Sequence, residues 1–507
     1  MEASQIVIID MGGQYTFLIG RKLRELGVRS IILAPEDMDQ WLASNHPKGI
    51  ILSGGWASIY DANAPQISDS VLGSGIPILG ICLGMHWLAH KFGGNVVSSL
   101  KQKEYYIRQF SRTVASDPLL GNIPERSVVL ASHGDSVAVL PKGAYKSGKT
   151  PDCPIAAFSI PEKNIFAVQF HPECTESQQG KAILKNFLDI CQTTQDWSPP
   201  SVIDQIRSEV LCALPGEAAV IHLFSGGVDS TVIAAILDPV MRDPKRERLI
   251  CVTFDTGSLR EGELREIRRN AVAAKCALHV IEAKQEFMAA LDGLIDGQEK
   301  RLTFQRVYQK KVDEMKAMFK TPHVIQGTLA ADLIESAHKG KAALINIHHN
   351  VGLGSLDPLR DLFKDEVRDL ARFLGLPDFV SERMPFPGPG LFVRIIGVPV
   401  TEETLAIVGF ADAQVRKIIS RSGIEKEISQ LIVAITIKTP GVKGDAPVMG
   451  YSILVRAVQS VDFMTGSGYE IPSSIRREII SALQQHPQIL RIWWDEGGKP
   501  PQRFEFQ

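Results

Sequence analysis

The chain has 507 residues, with 55 Lys or Arg against 57 Asp or Glu, for a formal net charge of −2. That balance excludes a chain-wide electrostatic footprint for nucleic acid or an acidic membrane surface. Hydrophobic residues at 44% and charged residues at 22% are ordinary globular usage, and roughly 150 residues per domain predicts about three domains.

The first 190 residues alternate short apolar runs with helical spacing. Ile6–Ile9, Gly49–Leu52 and Pro77–Ile81 read as buried strands, Thr16–Leu26 and Ile67–Leu72 as helices, and Arg126–Leu130 and Ile165–Phe170 as further strands. Strand, turn and helix in this rhythm predict a parallel sheet with crossover helices. Within it, Gly80-Ile81-Cys82-Leu83-Gly84 follows an apolar strand and precedes a helical pattern. Small residues two before and two after Cys82 permit a sharp strand-to-helix turn that presents the thiol near a helix N-terminus.

Phe170-His171-Pro172-Glu173 follows the strand that begins at Ile165. In extended chain, residues two apart share a face, so the Glu173 carboxylate can orient the His171 imidazole. Cys82, His171 and Glu173 then form a nucleophile, base and orienting acid. Ser53-Gly54-Gly55 closes the strand ending at Leu52, where bare backbone N–H groups suit a developing oxyanion. GxCxG, SGG and HPE in these places resemble the class I glutamine amidotransferases. The resemblance implies that Cys82 takes the glutamine acyl group and releases ammonia, with the Gly55 and Leu83 amides as oxyanion donors. Cys174 reads as a packing residue. His86 stands where many relatives carry Gln.

Gln192–Ser201 is polar, ends near two prolines and reads as a linker. A second strand-turn-helix unit follows: Ala218–Phe224, then Ser225-Gly226-Gly227-Val228-Asp229-Ser230, with another strand at Leu249–Phe254. Glycines let backbone N–H groups approach phosphate oxygens, and the following helix adds its positive end. The GxxxxGK[ST] spacing is missing, which disfavours a Walker-type kinase or ATPase. The loop resembles that of the ATP pyrophosphatases. That implies a pyrophosphate cradle at Ser225–Ser230, magnesium at Asp229, and Asp255 and Gly257 beside the nucleoside.

A Pro/Gly cluster at Pro385–Gly390 marks another boundary. Beyond it Leu431–Thr436, Tyr451–Ser460 and Ile489–Trp494 suggest sheet, with a helix near Ser473–Gln484. Across nearly its whole length the chain is similar to the glutamine-hydrolysing GMP synthetase family, through Asp255–Glu263, Gly327–Ser336, His348–Gly352, Leu362–Arg368, Phe386–Leu391 and Leu454–Thr465. The resemblance implies two open, mostly parallel α/β domains, an amidotransferase at 1–195 and an ATP pyrophosphatase at 202–384, then a smaller α+β domain at 385–507 for dimerisation and acceptor binding. It implies glutamine, ATP and xanthosine monophosphate as substrates and a homodimer. It places Asp332 and Glu335 in the adenylation site, and Gly388, Pro389, Gly390, Lys499 and Glu505 at the acceptor nucleotide.

The departures lie on the acceptor side. Asn346 and Ile347 occupy a stretch where the family carries a lid lysine, the lid between Gly352 and Pro358 is short, Met384 replaces a histidine and Arg503 a threonine. Two alternatives therefore stay open: amination of another purine-like nucleotide, or a nucleotide-binding regulator without turnover. His348 and His349 are adjacent and point to opposite faces of a strand, so they do not chelate one metal. Trp493 and Trp494 read as one core and one interface residue, and Arg265–Arg269 as a solvated helix face. Seven cysteines, none in a CxxC pair, fit a reducing compartment. With no basic, apolar leader at Met1–Gln5 and no apolar run of about 18 residues, the expectation is a soluble cytoplasmic enzyme that binds neither membrane nor nucleic acid.

Overall fold

The computed structural model describes residues 5–98, 104–216, 218–243, 245, 247–330, 332, 355–460, 466–498, 505 and 506. The chain forms two compact units, Met1–Val202 and Ile203–Gln507.

The first unit opens with β1 (Ile6–Ile9), α1 (Thr16–Glu25), β2 (Ser30–Leu33), α2 (Met38–Leu42), β3 (Gly49–Leu52), α3 (Asp69–Gly73), β4 (Ile78–Ile81) and α4 (Leu83–Lys91). It continues through β5 (Asn95–Ser98), β6 (Glu104–Arg112), β7 (Arg126–His133), β8 (Asp135–Val139), β9 (Tyr145–Lys149), β10 (Ala157–Ile160), β11 (Ile165–Val168) and α5 (Gly180–Ile190). Nine of these strands share one sheet in the order β2-β1-β3-β4-β11-β10-β9-β6-β7. The half from β2 to β11 is parallel, and β1, β3, β4 and β11 are buried throughout. Unbroken apolar runs are what a strand covered on both faces requires. Successive side chains alternate between two cores: Ile6, Ile8 and Ile51 face α1 and α5, whereas Val7, Ile9 and Ile50 face α4. From β11 onward the pairing is antiparallel, and this extension carries β6 and β7 in register from Glu104↔His133 to Ser111↔Arg126.

The polar stretch expected as a linker is tied down along part of its length. The Gln5 side chain donates to the Thr194 carbonyl (2.7 Å), and Asp196 accepts the Arg29 amide (2.7 Å). Its Pro199 then begins a helix, α6 (Pro199–Ala213), because proline suits a first helical turn whose N–H groups have no partner.

The second unit holds β12 (Val220–Leu223), α7 (Val228–Met241), β13 (Leu249–Asp255), α8 (Glu263–Ala273), β14 (Leu278–Glu282), α9 (Lys284–Leu291), α10 (Gly297–Phe319) and β15 (Val324–Ile325). These strands form a parallel sheet in the order β14-β13-β12-β15. A second sheet comprises β16 (Gln430–Lys443), β17 (Ala446–Gln459), β18 (Ser467–Gly468) and β19 (Ile489–Asp495). Gly444 (φ 55°) and Asp445 (φ 62°) make the left-handed two-residue turn between β16 and β17 that matches strand twist. The helix Glu402–Ser422 packs on this sheet. Thr401 caps its start by accepting the Thr404 amide (3.1 Å), and Gly423 (φ 79°) ends it. One apolar cluster joins Phe287 and Phe304 with Phe392, Ile407, Ile435 and Ile489. Trp494 packs against that cluster while Trp493 is exposed, and Arg265, Arg268 and Arg269 lie on the exposed face of α8.

Candidate active site

Cys82 sits between β4 and α4 with φ 51° and ψ −103°, a conformation that L side chains rarely adopt. The flanking glycines explain how the turn closes. A Cβ on Gly84 would lie 2.4 Å from the Leu52 carbonyl oxygen, and one on Gly80 would lie 2.7 Å from the Gly84 backbone. The helix therefore starts in van der Waals contact with two strands, and Leu83 is its first residue, whose N–H has no intrahelical partner. The loop after β3 meets this turn: a Cβ on Gly54 would be 2.9 Å from His171 Cε1 and 3.6 Å from Cys82 Cβ, and one on Gly55 would be 2.5 Å from the Leu83 side chain. Ser53 fixes that loop, accepting the Met11 amide (2.9 Å) and donating to the Gly54 carbonyl (3.0 Å). Gly55 therefore packs against Leu83, the residue that follows Cys82.

His171 lies just beyond β11. Its Nδ1 is 2.7 Å from Glu173 Oε1, and both side chains are buried. Burial pushes the imidazole pKa down, but the Glu173 charge and the contacts with Cys82 and Glu173 outweigh it and raise the value to about 10. Tyr15 packs edge-on against the ring, centroids 5.0 Å apart. His86, one turn along α4 from Cys82, is buried and hydrogen-bonded to Gln169 Oε1 (2.8 Å). Burial holds its pKa down at about 4, so it is neutral at pH 7. Cys174 is buried, in keeping with packing. A thiol beside a buried imidazole oriented by a carboxylate makes an arrangement suited to acyl transfer through a thioester.

In the second unit the loop Ser225–Ser230 joins β12 to α7. Gly226 (φ 70°) packs where a Cβ would be 2.8 Å from Ile267, and the Asn270 amide donates to its carbonyl (2.7 Å). Ser225 and Ser230 hydroxyls are 3.2 Å apart, and Thr231 Oγ1 donates to Gly227 O (2.7 Å). A cleft at the C-terminal ends of β12 and β13 is lined by Ser225, Gly227, Val228 and Asp229 on one side and by Met384–Gly388 on the other, with Phe304 and Tyr308. Ligands in open α/β sheets bind at such strand ends. Gly257 caps the turn after β13 by donating to Asp255 Oδ1 (3.0 Å). Ser258 ties that turn to the Pro/Gly loop: its hydroxyl donates to Pro389 O (3.1 Å), and a Cβ on Gly390 would be 2.4 Å from it.

Two cations to which the sequence reading assigned no role enter here. Lys364 pairs with Asp229, and Arg383 with Glu263 and the Gly226 carbonyl. Lys364 falls within the family-like Leu362–Arg368 stretch, whereas Arg383 lies in none of the family-like stretches. Asp229 Oδ1 is buried and has no hydrogen-bond partner among the described residues. Glu505 lies outside the cleft lining; it accepts from Arg394 (3.3 Å) and Gln430 (2.8 Å). Asp332 accepts the Leu329 amide (2.9 Å) and also lies outside the lining. Glu335, Asn346, Ile347, His348, His349, Lys499 and Arg503 fall outside the described residues.

The profile of the family "Glutamine amidotransferase class-I" matches residues 7–191, and that of "GMP synthase C terminal domain" matches residues 417–506. A curated relative from Caldicellulosiruptor saccharolyticus, named GMP synthase [glutamine-hydrolyzing], is 37% identical over 100% of both chains. One of the same name from Streptococcus pneumoniae is 36% identical over 100% of this chain and 98% of its own. The crystal structure of a putative GMP synthase component from Thermoplasma acidophilum aligns at 32% identity with a TM-score of 0.33, covering 38% of this chain and 96% of that one.

Proposed function

Because this chain belongs to the glutamine-hydrolysing GMP synthase family, we propose that it converts xanthosine monophosphate, ATP, glutamine and water to GMP, AMP, pyrophosphate and glutamate. The carrying observation is that one chain holds a Cys82/His171/Glu173 constellation and a phosphate-loop cleft, alongside full-length similarity to this family.

In the amidotransferase unit, Cys82 Sγ attacks the glutamine side-chain carbonyl, and the Gly55 and Leu83 amides face the resulting oxyanion. His171, held by Glu173, takes the Cys82 thiol proton and gives it to the departing ammonia. Water then cleaves the thioester with the same ring as base. In the second unit, the backbone of Ser225–Ser230, the start of α7 and Lys364 hold the phosphates while the acceptor's carbonyl oxygen attacks the α-phosphorus and pyrophosphate leaves. Ammonia then displaces AMP. The Asp229 carboxylate, whose Oδ1 finds no partner among the described residues, fits a hard divalent cation; it would hold magnesium, which would supply charge neutralisation for the phosphates.

The second unit divides by role, with 202–384 for adenylation and 385–507 for acceptor binding and assembly. Gly388–Gly390, tied to Ser258, supports the acceptor assignment, to which Lys499 and Glu505 are added, with Asp332 and Glu335 on the adenylation side. Exposed Ile437, Val442, Met449 and Trp493 on the second sheet support a homodimer. All seven cysteines are free thiols, which supports the cytoplasm. Among the described residues no helix is long and apolar enough to cross a membrane. Incubation with ATP, glutamine and a panel of purine monophosphates tests the reading. GMP formed from xanthosine monophosphate alone is expected; no amination of it while glutamine is hydrolysed would overturn the acceptor.

A further inference from the structure

Strand β7 touches both reacting groups of the amidotransferase unit through its backbone. The Leu130 carbonyl accepts the His171 amide (2.9 Å). The Leu130 amide donates to Ser177 Oγ (3.0 Å), which in turn donates to the His171 carbonyl (2.6 Å). Ser132 O lies 3.8 Å from Cys82 Sγ. The last residues of β7 therefore set the spacing between sulfur and imidazole.

One buried pair fixes that strand end. Glu104 and His133 are cross-strand partners with side chains 1% exposed. His133 Nδ1 is 2.9 Å from Asp135 O, and its Nε2 is 3.2 Å from Glu104 Oε2. A backbone carbonyl only accepts, so Nδ1 carries a proton. Nε2 faces another acceptor, so a second proton lies between it and the carboxylate. Thr150 Oγ1 donates to Glu104 Oε1 (2.6 Å), and Arg108 Nε is 3.6 Å from the same oxygen. Burial pushes the Glu104 carboxyl up, but the His133 and Thr150 hydrogen bonds outweigh it and leave it below its usual range. Cys153 completes a trio whose ligand atoms lie within 4.8 Å of one another. Its thiol donates to Ile155 O (3.3 Å), and burial together with Glu104 raises its pKa to about 12. Among the described residues, neutral His86 and the Asp135 carboxylate, which accepts from Ser58 Oγ (2.7 Å), also lie near the ring.

We propose that Glu104 and His133 form a buried, hydrogen-bonded cross-strand pair that holds β7 against Cys82 and His171, making both positioning residues for glutamine hydrolysis. The proposal rests on Cys82 being the nucleophile. Full-length Glu104→Gln, His133→Gln and Cys82→Ala proteins are compared for glutamine-driven and ammonium-driven product formation, with 15N-histidine NMR of the first two and the parent. The expected result is a drop of about 10- to 100-fold in glutamine-driven kcat for both pair variants, with ammonium-driven turnover unchanged. One histidine with both ring nitrogens hydrogen-bonded should disappear in His133→Gln and shift at Nε2 in Glu104→Gln, which keeps the size of the side chain. Parent-like glutamine turnover in both variants, equal loss of ammonium-driven turnover, or Glu104→Gln histidine signals identical to the parent's would overturn the pair. So would stoichiometric zinc that is lost with His133. Glutamine turnover surviving in Cys82→Ala would instead overturn the nucleophile, a separate outcome.

Discussion

His171 Nδ1 and Glu173 Oε1 lie 2.7 Å apart although the two residues are only two apart in the chain. The contact places a carboxylate behind a buried imidazole and holds its pKa at about 10, so the ring is protonated at neutral pH. Glutamine-driven activity is therefore expected to hold through neutral and mildly alkaline pH and to fall as pH rises through about 10, when the acid for departing ammonia is lost. The linkage has the same sign. A pKa raised from 6.5 to about 10 gives stability fully present below pH 6.5 and lost as pH rises through 10, so His171→Ala should cost more stability at pH 6 than at pH 10. Denaturant unfolding at the two pH values checks this, and equal losses contradict it.

Cys82→Ala removes the attacking sulfur and leaves the second unit untouched. Glutamine-driven turnover should fall by at least about 1,000-fold, while turnover with added ammonium stays near that of the parent. Steady-state rates with each nitrogen donor decide the matter. Loss of both activities in a folded variant contradicts the assigned role.

Gly84→Ala tests the turn itself. Its new Cβ would meet the Leu52 carbonyl oxygen at 2.4 Å, a backbone atom that has no rotamer to escape into. A cost of about 2 kcal/mol and at least about a tenfold loss of glutamine-driven kcat are expected, read by thermal unfolding and rate assays. Unchanged values on both counts would mean that the strand-to-helix turn has slack.

Both candidate sites were legible because their residues cluster in short segments that a fold delivers at strand ends. Ile6–Ile9 and Gly49–Leu52 were legible to the residue, since fully buried parallel strands are uninterrupted apolar runs. The antiparallel extension was largely hidden. β6 reads EYYIRQFSR, with Tyr105, Tyr106 and Ile107 exposed, so its apolar residues do not mark a core face. Lys364 and Arg383 reach the phosphate loop from 135 and 157 residues away, and no local spacing encodes such a contact. His133 was invisible for the same reason: its meaning depends on the strand register that sets it opposite Glu104.

Tyr106 is a non-glycine residue at φ 74° within β6, with its ring 70% exposed. A left-handed conformation costs an L residue roughly 1–2 kcal/mol, whereas glycine gives back about 0.5–1 kcal/mol through its freer unfolded chain. Tyr106→Gly should therefore stabilise the amidotransferase unit by about 0.5–1 kcal/mol, raising Tm by roughly 1–3 °C. A fall in Tm would show that the aromatic ring contributes more than the backbone strain removes.

Lys364 and Asp229 bear on which bond of ATP breaks. The loop Ser225–Ser230 offers backbone N–H groups and a helix start but no lysine of its own, and Lys364 brings the cation from a distant helix to the acid at the start of α7. A loop that cradles the leaving pyrophosphate leaves the α-phosphorus open to attack, so the products should be AMP and pyrophosphate. Lys364→Met removes that charge and leaves Asp229 without its partner, and ATP cleavage should fall by about 100-fold or more. Glutamine hydrolysis measured without ATP or acceptor, the chemistry of the other unit, should be unaffected. Phosphorus NMR of the reaction mixture reads both points at once. ADP and inorganic phosphate as products would overturn the pyrophosphate cradle, and parent-like ATP cleavage in the variant would remove Lys364 from it.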